Sequence, residues 1–398
     1  MTPPSRPGAG RWAVLAVAVA AQSAASALVY GLPFAMPVLR HTESLSLTQA
    51  GALVVTPVLG LLTTLIAWGA AADRFGERVV MTTGMAGTGL AGLGAALLPG
   101  IAPLAACLAL SGAFAASINA ASGRAVLGWF DASERGLAMG IRQVSQPLGV
   151  AIAALALPPL AEHAGYRTAL LLPTGLCLLC AVLVRAILVD PPRPTTEDTT
   201  RTDSPYRDPR LWRVHLSSAL LVAPQFISGT FALTYLVTEQ HWDAVTAGAL
   251  LAAVQAAGAL GRIGAGVWSD RAGSRMRPMR TIALLVATAL VVWALGDLLA
   301  PWLAITGAIL VLVISVTDNG LGFTATAELA GPHWAGRALG IQNTAQNLIA
   351  LAITPIFAAT VTAIDWPWAL LAAAAFPVAA MATTPVRGER KDTTPAAA

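Results

Sequence analysis

The chain has 398 residues, of which 56% are hydrophobic and 11% charged, and its mean hydropathy is +0.69. So little polar surface cannot cover a soluble globule of this length, which excludes a water-soluble enzyme or binding domain and requires an integral membrane protein. The formal net charge of +4 follows the pattern of membrane orientation, so no nucleic-acid partner is implied.

Apolar stretches of about 20 residues or more, each able to cross a hydrocarbon core of about 30 Å as a helix, occur at twelve places. They lie near 12–38, 47–72, 79–99, 103–128, 136–161 and 167–189, then near 213–238, 244–268, 280–299, 302–328, 336–363 and 366–384. The first is too long for a signal-peptide core and has no evident cleavage site, so it reads as a retained helix. The expected fold is all-α, with twelve transmembrane helices in two pseudo-symmetric six-helix bundles. The N-terminal half is 1–189, a flexible cytoplasmic linker occupies 190–212, the C-terminal half is 213–384 and a tail covers 385–398. The linker reads DPPRPTTEDTTRTDSPYRDPR from Asp190 to Arg210, rich in Pro, Thr and balanced charge.

Of the 24 Lys and Arg, 18 lie in the termini and loops that an inside N-terminus places in the cytoplasm, and only Arg40 and Arg167 lie outside. The positive-inside rule therefore puts both termini in the cytoplasm, and the apolar helices imply residence in the plasma membrane. Trp12, Trp129, Trp212, Trp242, Trp302, Trp334 and Trp366 sit near predicted helix ends, where amphipathic rings favour the interface. Cys107, Cys177 and Cys180 fall inside predicted helices and read as packing residues.

The chain repeats itself. Gly69, Asp73, Arg74, Gly76 and Arg78 in GAAADRFGER recur 197 residues on as Gly266, Asp270, Arg271, Gly273 and Arg275 in GVWSDRAGSR. Asn119, Gly136, Gly140, Ile141 and Gln146 recur at an offset of 200 as Asn319, Gly336, Gly340, Ile341 and Gln346. Each copy of the first motif joins two apolar spans, and two six-helix halves joined by a linker form the architecture of major facilitator transporters. Over essentially its whole length the chain resembles that superfamily, whose Gly-x-x-x-Asp-Arg-x-Gly-x-Arg motif lies between the second and third helices, often with a degenerate copy between the eighth and ninth. Both copies are intact here. The resemblance implies that Asp73, Arg74, Arg78, Asp270, Arg271 and Arg275 latch the halves in the outward-facing state, with Gly69 and Gly266 permitting close helix approach. The alternative is that these residues only fix topology and hairpin packing.

Charge inside a membrane costs about 2.5–3.5 kcal/mol per residue even on lenient scales, so each buried ionisable group needs a reason. Arg142 lies seven residues beyond Arg135, hence about 10 Å deep, and Arg262 eight residues before Asp270, about 12 Å deep. In the superfamily's usual packing the fifth and eighth helices face each other, so the resemblance implies that Arg142 and Arg262 could approach one cavity. Gln143, Gln146 and Gly149 follow Arg142, and Gln342, Asn343, Gln346 and Asn347 occupy the matching stretch of the eleventh helix. At spacings of three and four, Arg could bind an anion bidentately while amides orient it. The alternatives are snorkelling arginines and helix-to-helix amide bonds. Asp318, near the middle of the tenth helix in SVTDNGLG, is the candidate proton-coupling carboxylate, or else a fixed counter-ion to an arginine or a solvated structural residue. Among cavity-facing neutral groups, Asn119 and Gln225 stand out beside Gln22, Ser26, Tyr30, Ser117, Ser228 and Tyr235; Arg124 groups with the latch, and Arg185 and Glu328 with the interface.

GRIGAGVWSDR resembles the eighth helix of monocarboxylate and oxalate-type carriers, and RGLAMGIRQVSQPLG the fifth helix of cyanate-permease-like carriers. The expectation is a secondary transporter of a small organic anion, working by alternating access with proton coupling, without a cofactor and with no obligate protein partner evident. The alternative is a proton-driven exporter of drugs or secondary metabolites, against which the fifth helix argues: such exporters carry Gly-Pro-x-x-Gly-Gly, and here Gln146 and Pro147 are followed by Leu148, Gly149, Val150 and Ala151. A membrane enzyme is not expected. No HExxH, GxSxG or Walker loop is present, and His41, His163, His215, His241 and His333 are scattered without metal-ligand spacing.

Overall fold

The computed structural model describes residues 8–190, 204–387 and 389. Most of the predicted linker (191–203) and much of the tail (388 and 390–398) lie outside the described residues. Among those described there is no strand, and the helices in chain order are α1 (Gly8–Val29), α2 (Leu32–Thr42), α3 (Leu47–Phe75), α4 (Glu77–Leu97), α5 (Ile101–Leu127), α6 (Arg135–Gln143), α7 (Ser145–Ala164) and α8 (Tyr166–Ile187). They continue as α9 (Pro209–Thr238), α10 (Ala244–Ala272), α11 (Met276–Leu299), α12 (Pro301–Ile314), α13 (Asn319–Ala330), α14 (Ala335–Ala373) and α15 (Ala375–Thr383).

These helices make the twelve expected passes. Four passes are interrupted: α1 and α2 share the first, α6 and α7 the fifth, α12 and α13 the tenth, which unwinds into turns at Ser315–Asp318, and the end of α14 and α15 the twelfth. The apolar run Ala335–Thr383 spans 49 residues, more than twice what about 30 Å of hydrocarbon needs, and it divides where Ile364 (φ −137°) and Asp365 (φ 62°) leave helical geometry. Helix starts carry their own signals. Ser46 and Gln49 form a reciprocal capping box at α3, Asp243 caps α10, and Pro301 opens α12. Asp208 caps α9; its hydrogen bonds from the Arg210 side chain hold the carboxyl below its ordinary range.

The described residues gather into two compact units, which follow the two halves of the sequence with one exchange. The first unit takes its residues from Met1–Phe130, Ile141–Asp203 and Ala330–Thr344; the second from Asp131–Gly140, Ser204–Leu329 and Ala345–Ala398. Inside the first, a Cβ at Gly60 or Gly112 would strike the carbonyls of Ala109 and Pro57, so α3 and α5 meet backbone to backbone. Thr64 Oγ1 and Trp68 Nε1 both donate to the Ala113 carbonyl across that seam, each at 2.7 Å. In the second, Gly296 and Gly307 do the same for α11 and α12 against Ala304 and Trp293. Large side chains such as Leu155 (80% exposed), Leu260 (70%) and Leu299 (72%) point outward, where hydrocarbon and not water accommodates them. The repeat extends to packing: burial along 111–127 matches that along 311–327 residue for residue.

Candidate functional site

In each unit the repeated loop joins two passes, and its aspartate caps a helix from the other half of the sequence. In the first unit, Asp73 accepts from the Gly336 and Arg337 amides at 2.9 and 3.0 Å, the opening turn of α14. Those amides have no helical acceptor of their own, and the helix dipole adds to the attraction. Close approach is possible because a Cβ at Gly69 would strike the Gly336 backbone, and one at Gly336 the Gly69 carbonyl. In the second unit, Asp270 accepts from the Gly136 and Leu137 amides at 2.9 and 2.8 Å, opening α6, and Gly266 meets Gly136 in the same way.

The cations differ. Asp73 pairs with Arg124 of α5 at 2.9 Å, and the same guanidinium also donates to Ala72 O, to Pro332 O and to the fully buried Glu77 carboxylate. Arg337 lies 3.8 Å from Asp73. Arg74 stacks over Phe75, with its Cζ 5.2 Å from the ring centre, and Arg78 donates to the Arg185 carbonyl. Asp270 pairs with Arg275 from its own loop at 2.5 Å; Arg275 also donates to Ala132 O at 2.7 Å and pairs with Glu328, which in turn meets Arg135 at 3.6 Å. Burial penalises the Arg275 cation, but the carboxylates of Glu328 and Asp270 outweigh it and leave the guanidinium above its ordinary range. Arg271 is exposed, and Gly273 holds φ 56°. Glu328 is thus tied to the loop, beyond the interfacial role expected for it.

Deeper polar groups gather separately in each unit. In the first, Arg142 is 3% exposed and donates to Ser122 Oγ (2.9 Å), Gln143 Oε1 (2.7 Å) and the Asn119 carbonyl (3.4 Å). Asn343 Nδ2 approaches that carbonyl at 3.5 Å, and Gln22 Nε2 donates to Asn119 Oδ1 at 3.1 Å. Gln342 is buried beside this group in sequence, whereas Gln146, four residues beyond the buried Arg142, is exposed.

In the second unit, Arg262 is 7% exposed and donates to the Val316 carbonyl at 3.3 Å, an acceptor in the unwound turn of the tenth pass. Asp318 ends that turn. It is 1% exposed, attracts Arg262 electrostatically, and its Oδ2 has no hydrogen-bond partner among the described residues. Asn319 Nδ2 donates to Gln225 Oε1 at 3.1 Å, repeating the Gln22–Asn119 pair at the same distance. Gln346 is buried, and its Nε2 likewise has no partner among the described residues.

Sequence reasoning passed over three carboxylates. Glu77 is the motif's unassigned position; Asp190 and Glu389 each meet a loop from the segment after a sixth pass. A carboxylate at the first turn of a predicted helix was the available signal for Glu77.

Twelve apolar passes, a duplicated acid-capped loop and buried arginines define a polytopic α-helical solute carrier. A family model, Major Facilitator Superfamily, matches residues 15–355, and the chain belongs to that superfamily. It is 42% identical over 380 residues to an uncharacterized MFS-type transporter (Rv2994) of Mycobacterium tuberculosis, covering 95% of this chain and 85% of that one. It is 27% identical over 316 residues to the probable nitrate/nitrite transporter NarK2 of the same species, covering 77% of this chain and 78% of the other. Its fold is similar to that of the proton:xylose symporter XylE, with a TM-score of 0.76, 15% identity and 95% of each chain covered. The protein is therefore a multi-pass membrane transporter of the superfamily and not an enzyme.

Proposed function

We propose that this transporter moves a small organic anion across the plasma membrane by alternating access coupled to protons. The observation that carries the reading is Arg262, a nearly buried cation whose hydrogen bond goes to a backbone carbonyl in a broken helix beside the buried Asp318. Keeping a charge there costs about 2.5–3.5 kcal/mol, more than the roughly 0.6–2 kcal/mol that a polar contact between membrane helices returns. A ligand's negative group makes up the difference. Arg142 adds a second buried guanidinium, and a relative named as a nitrate/nitrite transporter supports the anion class. Asp318, with one oxygen free of any partner among the described residues, is the proton carrier in this reading.

The arginine-rich loops put both termini in the cytoplasm and both acid-capped loops at the cytoplasmic face. There Asp73 and Asp270 act as latches of the outward-facing state, each holding a helix start from the opposite half of the sequence.

Thermal unfolding of the purified chain against carboxylates, small inorganic anions and lipophilic cations tests the reading. An anion should stabilise the protein, and Arg142→Gln and Arg262→Gln should lose that shift. Stabilisation by lipophilic cations alone, unchanged in both variants, would make it an exporter of drug-like molecules. With the stabilising anion in hand, Asp318→Asn in proteoliposomes should lose accumulation driven by a proton gradient while keeping exchange; retained accumulation removes Asp318 from coupling.

A further inference from the structure

Each latch loop is met by a carboxylate that the repeated motif does not contain. In the first unit α8 ends at Ile187 and the chain continues to Asp190, whose Oδ1 accepts from the Arg78 amide at 2.7 Å, in the opening turn of α4. The Arg78 side chain donates to the Arg185 carbonyl at 3.0 Å, so this loop is tied twice to the end of the sixth pass. Gly76 makes room for the tie. Its φ is 95°, and a Cβ there would lie 3.0 Å from the Asp190 Cγ.

The second unit repeats the arrangement. α15 ends at Thr383, and Glu389 accepts from the Arg275 amide, from the Met276 amide at 3.1 Å and from Ser274 Oγ, at the start of α11. Asp190 and Glu389 are 199 residues apart, within two of the offset between the loops themselves. A longer side chain reaches the second loop, and beside Gly273 the space a Cβ would enter is empty.

We propose that Asp190 and Glu389 are matched positioning residues: each holds its latch loop to the segment that follows a sixth pass, and a latch opens only when its carboxylate lets go. This rests on the latch reading of Asp73 and Asp270. The physical basis is that the first amides of α4 and α11 lack helical acceptors, and a carboxylate bonding to them also favours the positive end of the dipole. In the first loop only four residues separate the Asp190-bound amide of Arg78 from Asp73, so fixing one sets the height at which the other meets α14.

The test uses the full chain in liposomes, with Cys107, Cys177 and Cys180 replaced by Ala and a reporter introduced by Ala338→Cys for the first unit or Ala138→Cys for the second. Both positions are fully buried beside the capped amides. Hydrogen exchange of the 76–82 and 274–280 segments is read alongside labelling by an impermeant maleimide. Asp190→Ala should speed exchange in 76–82 by about 10-fold, the loss expected for a helix cap, and raise labelling at 338 several-fold. Glu389→Ala should do the same for 274–280 and 138. Asp190→Asn and Glu389→Gln, which keep an acceptor but lose the charge, should fall between parent and Ala variant; if an Ala variant fails to insert, its isostere carries the test, and labelling equal to the parent overturns the proposal. Faster exchange without more labelling makes the carboxylates simple caps and also overturns it. Asp73→Asn separates the two readings: if it raises labelling at 338 while Asp190→Ala does not, only the positioning role fails, and if neither raises it, the latch reading fails as well.

Discussion

The two repeated loops reach one geometry by different electrostatics. Both aspartates accept from two amides at the start of a helix, and both loops have a glycine packed against a glycine of the capped helix. In the first, the cation comes from Arg124 in α5, and that buried guanidinium is shared with Glu77. In the second, the position of Arg124 is held by Thr324 and that of Glu77 by Ser274, and Arg275 supplies the charge from within the loop. Cap and glycine contact are kept in both copies; the source of the counter-charge is not. Helix-end geometry demands an acceptor at one place, whereas a counter-ion can approach a carboxylate from several directions.

The largest effect should fall on the more deeply buried network. Arg124→Ala leaves Asp73 and Glu77 without their shared cation, and removing one partner of a buried pair costs about 3–5 kcal/mol. Thermal unfolding in detergent should show a loss well beyond that of Arg275→Ala, where Glu328 is partly exposed and solvent softens the change. Adding Glu77→Gln to Arg124→Ala should recover part of the loss; equal effects of the two arginine variants would show that the networks do not differ. Next come the glycines. Gly69→Ala and Gly266→Ala each force a methyl into a facing backbone, at about 1–3 kcal/mol, and should increase maleimide labelling at Ala338→Cys and Ala138→Cys respectively, to similar degrees. Unequal responses would mean the contacts are less alike than their geometry. Smallest are the twin amide pairs: Gln22→Leu and Gln225→Leu should each change stability by about 0.6–2 kcal/mol and by nearly equal amounts.

The amide pairs also show where reading along the chain stopped. Asn119 and Gln225 stood out one by one as polar residues in apolar spans, yet which helix each bonds to depends on how spans a hundred residues apart are packed. Arg142 and Gln146 have the spacing of one helical face, yet packing buries the first and leaves the second exposed. Glu77, Asp190 and Glu389 are commonplace acidic residues near helix ends until a specific amide is brought to them. By contrast, SVTDNGLG sets polar residues and glycines within an apolar run, and there the tenth pass unwinds.

From sequence alone came the membrane, the twelve passes, the internal doubling and the superfamily, because these rest on hydrocarbon thickness, on hydropathy summed over some 20 residues and on a motif repeated at fixed spacing. The tertiary structure alone decided the partners: Arg124 with Asp73 and Glu77, Arg262 with the Val316 carbonyl, and Asp190 and Glu389 with the loop amides. Hydrogen bonds and ion pairs act over about 3–4 Å, and no periodicity along a chain specifies which distant residues will be brought that close.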